Sequence, residues 1–82
     1  MDALAEEVTT DLSSQITANA QTLLEARMLS ASRQITLEYK EGIMFLRGHL
    51  ASFYQKQVAQ EAIRHLDGVQ QIVNKIEVTA AT

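Results

Sequence analysis

Residues 34–50, "QITLEYKEGIMFLRGHL", constrain the fold more than any other part of the chain. Ile35, Leu37 and Tyr39 alternate with Gln34, Thr36 and Glu38, the period-two pattern of a strand with one wet face, expected over Gln34–Tyr39. "KEG" comes next, with Gly42 free to take the positive φ of a tight turn, and a second apolar run begins at once. The pattern predicts a β-hairpin. In the second strand Met44, Leu46, Gly48 and Leu50 share one side, and Ile43, Phe45, Arg47 and His49 share the other. The charged pair cannot be buried unpartnered, so Met44, Leu46 and Leu50 form the inner row. Gly48 then interrupts that row, which predicts a notch where a helix backbone comes close.

Helical spacing brackets the hairpin. From about Asp11 to Met28, Leu12, Ile16, Ala20, Leu23 and Leu24 fall on one stripe, with Ser13, Thr17, Gln21 and Glu25 opposite. Continuing back through Val8 and Leu4 in steps of four wraps the stripe around the helix. Residues 1–10 are therefore expected to form a flexible N-terminal segment, frayed or in a separate turn, and "SAS" (Ser30–Ser32) to end the helix. Ser52 with Gln55 three residues on reads as a capping box for a second helix reaching about Leu66, with Val58, Ala59, Ala62, Ile63 and Leu66 as its apolar face. Asp67-Gly68 is expected to stop it, Gly68 as the left-handed exit residue. "VQQIVNKIEV" (Val69–Val78) reads as a third strand, and residues 80–82 as a loose tail. Its inner row would be Ile72, Asn74, Ile76 and Val78, so the Asn74 amide needs partners and is expected to tie strand to loop.

The order helix, strand, strand, helix, strand predicts an α+β domain over residues 11–79: a three-stranded mixed sheet, αββαβ, with both helices on one face. At 82 residues the chain is one domain with a thin stability margin. It has no cysteine, so neither disulfides nor thiolate–metal sites hold it together. The other face of the sheet is left open. There Ile43, Phe45 and Val73 stand beside Arg47, His49 and Lys75, with Thr36, Glu38 and Glu77 in the same rows. A surface part apolar and part basic suits a membrane interface, a protein partner or a homo-oligomer contact.

Catalysis is not expected. His49 and His65 lie on different elements, and no set of Asp, Glu or Cys at metal-ligand spacing surrounds either. Ser30 and Ser32 lack a nucleophile-elbow context, and the glycines of "EGIMFLRG" run along a strand instead of preceding a phosphate-binding helix. No cofactor is expected. One aromatic on the open face and a formal charge of −3 weigh against nucleic acid.

Taken together, these residues resemble a BON domain, a small module of bacterial envelope proteins. "ITLEYKEG" corresponds to the family's alternating strand and glycine turn, and "GIMFLRG" to its apolar strand with a second glycine six residues on. The helix from Ser52 and "DGVQQIVNKIEV" complete the pattern. Gly42, Gly48, Gly68, Val69, Val73 and Asn74 all fall in place, and the likeness covers roughly Leu12 to Val78. The resemblance implies a non-enzymatic module for phospholipid surfaces or envelope attachment, and a periplasmic or envelope setting. The chain as given shows no signal-peptide pattern, which by itself points to the cytoplasm. Arg47 and His49 also replace the small polar residues commonly found beside the second glycine, so a ligand preference does not carry over.

Overall fold

A computed structural model describes the backbone of residues 2–79 and the side chains of residues 12–79. The elements are helix α1 (Asp2–Met28), a 3₁₀ segment (Leu29–Gln34), strands β1 (Ile35–Lys40) and β2 (Ile43–Leu50), helix α2 (Phe53–Ile63), and strands β3 (Gln71–Asn74) and β4 (Glu77–Val78). The architecture is α+β, with a mixed sheet in the order β1-β2-β3. β1 runs antiparallel to β2, while β3 and β4 run parallel to it. The long β2 is therefore central, as the hairpin and its helical crossover require. The tail expected at 80–82 lies outside the described residues.

The hairpin turn is Glu41-Gly42, with both residues at positive φ (51° and 84°), and Lys40 pairs with Ile43 across it. This is a two-residue type I′ connection, whose twist matches that of the flanking strands. The expected inner row is in place: Met44 and Leu46 are fully buried and Leu50 nearly so. Against it pack Ile35 from β1, Ile76, Ile16, Ala20 and Leu24 from α1, and Ala59 and Ile63 from α2. Both helices thus cover one side of the sheet.

Several elements differ from what the pattern predicts. α1 begins at Asp2, nine residues before the expected start at Asp11. The β-branched residues at 8–10 cost only a few tenths of a kcal/mol each in a helix, within what the surrounding Ala, Leu and Glu support. The buried stripe of α1 is also rotated. Leu12 is 61% exposed and Leu23 36% exposed, while Ser13, Thr17 and Gln21 are half-buried. On that side Thr17 donates its hydroxyl to the Ser13 carbonyl (3.0 Å), and Tyr39 lines a shared depression with Ser13, Thr17 and Gln21. The α-helix stops at Met28, and "SAS" falls within the 3₁₀ segment, where the buried Ser32 hydroxyl donates to the Leu29 carbonyl (2.7 Å).

α2 ends at Ile63 instead of Leu66. Gly68, at φ 93°, does not cap it; it occupies a later turn closed by the Val69 N–H donating to the Leu66 carbonyl (3.1 Å). The Ser52 cap is as expected, accepting from the Gln55 N–H at 3.1 Å. The return bond, however, runs from the Ala51 N–H to Gln55 Oε1 (3.1 Å), one residue earlier than in a standard capping box. The third strand is split into β3 and β4 at Lys75-Ile76, with the register kept on both sides. Asn74 causes the break: its Oδ1 accepts from the Ile76 N–H (3.2 Å), an Asx turn that takes that amide out of the ladder. Its Nδ2 donates to the Lys56 carbonyl (3.1 Å) and to Gln60 Oε1 (3.3 Å). Asn74 therefore ties the sheet to α2 and not to a loop. Gly48 also differs from expectation. The group that fills its notch is the backbone of Gln34 at the end of the 3₁₀ segment, not one of the two packed α-helices.

Candidate functional site

Strand alternation and register place Ile43, Phe45, Arg47 and His49 of β2 in one row of the helix-free face. Beside them lie Val73 of β3, Lys75 just after it, and Glu77 of β4; Thr36, Glu38 and Lys40 of β1 flank the other side. All six residues expected on the candidate surface, Phe45, Arg47, His49, Lys75, Ile43 and Val73, fall on this face. Phe45 is paired with Glu38 on one side and Val73 on the other. Ile43, Phe45 and Val73 are half-buried, and Arg47, His49 and Lys75 are exposed or nearly so. The result is a narrow apolar strip with polar ends.

Its charges are arranged more tightly than the sequence alone indicates. Arg47 reaches diagonally to Glu38 (Nη1 to Oε1, 2.8 Å), and its guanidinium lies 5.8 Å from the centre of the Phe45 ring. His49 Nε2 lies 3.1 Å from Glu77 Oε1 across the β2–β4 pair, a contact that is ionic only when the imidazole is protonated. Each of these two basic groups is thus matched by a carboxylate from a neighbouring strand. Among the described residues Lys75 has no such partner within salt-bridge range.

The glycine and asparagine positions are structural supports for this face. Gly42 turns the hairpin, with its carbonyl accepting from the N–H groups of Gln70 (2.8 Å) and Gln71 (3.2 Å), which starts β3 in register. The Gly68 carbonyl accepts a hydrogen bond from the Tyr39 hydroxyl, fastening the turn before β3 to the end of β1. Val69 packs half-buried against the core, and Asn74 anchors β3 to α2.

A second surface lies outside the residues expected on the sheet face. Phe53 and Tyr54, at the start of α2, are 74% and 76% exposed, and Leu29, in the 3₁₀ segment, is 74% exposed. A signal for it exists in the sequence: Phe53 and Tyr54 precede the buried pair Ala59 and Ile63 at spacings that do not place them on that helical stripe. "SFYQ" announces a helix start through Ser52 and Gln55, and that role hides the two aromatics between them.

A family model of the BON domain matches residues 11–80, most of the chain. The chain belongs to the BON domain family. The match takes in both strands of the hairpin, α2 and the divided strand, together with every glycine described above. No curated protein matches the chain. The BON family is associated with phospholipid binding, and it is a family of binding modules. In this BON domain His65 is exposed beyond the end of α2, and no group of three or more His, Cys, Asp or Glu that could hold a metal lies together among the described residues. Among those residues, also, no helix is long and apolar enough to cross a membrane.

Proposed function

We propose that this BON domain is a non-catalytic attachment module that binds phospholipid surfaces at a bacterial cell envelope. Family membership supports the ligand class. The observation that carries the reading is the helix-free sheet face, where Ile43, Phe45 and Val73 leave an apolar strip beside the cations Arg47 and Lys75. An apolar strip with adjacent positive charge matches the layered chemistry of a membrane surface, acyl chains beneath anionic phosphates. The test is flotation with vesicles containing anionic phospholipid, alongside amide-shift mapping. Binding at low salt that weakens as salt is added, with shifts at Phe45, Arg47 and Lys75, is expected. Absence of binding at low salt ends this reading.

A second reading has its own support. Arg47 and His49 are already matched to Glu38 and Glu77, so the face carries fixed charges of both signs. Such a pattern favours a protein surface or a second copy over a uniformly anionic layer. It predicts a mass that rises with concentration or a specific co-purifying protein, and loss of assembly in Phe45→Glu.

A further inference from the structure

We infer that the end of the domain carrying Leu29, Phe53 and Tyr54 is the element that penetrates a phospholipid surface, with Arg27 and Arg33 as its phosphate-binding cations. The inference rests on the phospholipid reading above and assigns the depth of contact to a place other than the sheet face.

Three observations converge on this end. The first is exposure. Leu29, Phe53 and Tyr54 are the most exposed large apolar side chains among the described residues, each about three-quarters uncovered, whereas Ile43, Phe45 and Val73 are half-buried. Leu29 opens the 3₁₀ segment, and Phe53 and Tyr54 open α2. Arg27 and Tyr54 line one surface depression, Arg33 lines the next with His49, and Gln55 borders both. Leu29 adjoins Arg33 in a third.

The second is backbone conformation. Leu29 stands at φ 54°, a left-handed position that costs a residue with a side chain about 1–2 kcal/mol. Folding gains nothing visible from this leucine, because its side chain points into solvent. A strained position that displays an apolar group is a reason to look for a ligand there.

The third is charge. Of the four arginines, Arg47 and Arg64 have carboxylate partners, to Glu38 and Glu61. Arg27 and Arg33 have none within salt-bridge range among the described residues, and both lie at this end. Glu25 borders the depression of Leu29 and Arg33, yet it lies within salt-bridge range of neither arginine, so both guanidinium groups stay available to an anion. Unpaired guanidinium groups beside exposed aromatics fit an anionic phospholipid layer: the arginines bind phosphate, while the rings settle at the headgroup–acyl boundary.

The chain contains no tryptophan, so a single introduced indole reports its own surroundings. Phe53→Trp and Phe45→Trp forms of the full chain are titrated with vesicles of phosphatidylcholine alone and of phosphatidylcholine mixed equally with phosphatidylglycerol. The Phe53→Trp form is expected to shift its emission to the blue on the mixed vesicles, and the Phe45→Trp form to shift less. In flotation, Phe53→Ser with Tyr54→Ser is expected to weaken binding about tenfold or more. Arg27→Gln with Arg33→Gln is expected to remove a similar factor, and with it the preference for the anionic mixture. Wild-type binding that survives the double aromatic change, or a blue shift confined to the Phe45→Trp form, overturns the inference and leaves the phospholipid reading standing. A wild-type chain that binds neither vesicle overturns both.

Discussion

The carbonyl oxygen of Gln34 stands where the first side-chain carbon of any residue replacing Gly48 would have to go. Gly48 is itself at φ 136°, and it pairs across the hairpin with Ile35, the residue next to that carbonyl. The glycine is thus required twice over, by its backbone angle and by the approach of another backbone. A carbonyl at the start of a strand cannot rotate away as a side chain can.

Gly48→Ala is expected to lower stability by about 3 kcal/mol or more, combining overpacking with an unfavourable φ. Gly68→Ala should cost less, because a Cβ there would meet the flexible end of the Ile16 side chain at 2.8 Å. Urea unfolding followed by circular dichroism ranks the two. A Gly48→Ala midpoint close to wild type would contradict the geometry.

Asn74 and Ile76 offer a test at a single amide. Removing the side chain in Asn74→Ala leaves the Ile76 N–H without its acceptor and should cost about 1–3 kcal/mol. Asn74→Asp keeps an acceptor for Ile76 but turns a carboxylate toward the Lys56 carbonyl and Gln60 Oε1. Hydrogen exchange at Ile76 should accelerate about tenfold or more in the alanine form, and less in the aspartate form relative to its own global stability.

The hairpin turn leaves room for improvement. Glu41 occupies a left-handed position better suited to asparagine, and Asn-Gly is the preferred pair for this turn type. Glu41→Asn is expected to raise stability by about 0.5–1 kcal/mol, read as a higher thermal midpoint. A lower midpoint would mean that the glutamate makes a contact outweighing its backbone cost.

Exposed ion pairs should matter little to folding. Arg47 and Glu38 are each about half exposed, so Glu38→Gln should change stability by less than about 1 kcal/mol. Its effect on binding is the more informative measurement. If the sheet face touches an anionic layer, removing this carboxylate strengthens vesicle binding at low salt; if the face meets a protein, binding to vesicles stays as it was.

Phe53 and Tyr54 should be dispensable for folding, since neither belongs to the core cluster. Phe53→Ser and Tyr54→Ser are each expected to stay within about 0.5 kcal/mol of wild type by urea unfolding. A larger loss would show that these rings pack more closely than their exposure implies. Ser52→Ala, one residue earlier, should cost about 1 kcal/mol through its lost cap bond to Gln55.

Local chemistry in the sequence determined the order of elements, the hairpin at Glu41-Gly42, the inner row of Met44, Leu46 and Leu50, and the outer row around Phe45. Alternation and turn residues act between near neighbours in the chain, so they are readable without coordinates. On α1 the expected stripe did supply Ile16, Ala20 and Leu24 to the core, and tertiary packing decided only its edges: Leu12 and Leu23 are exposed, while Ser13, Thr17 and Gln21, on the side lined by Tyr39, are half-buried. The same holds for the carbonyl that fills the Gly48 notch, the tie from Asn74 to Lys56 and Gln60 of α2, and the carboxylates that meet Arg47 and His49. Each of these depends on atoms distant in sequence arriving at one place, and a pattern along the chain carries no record of that distance.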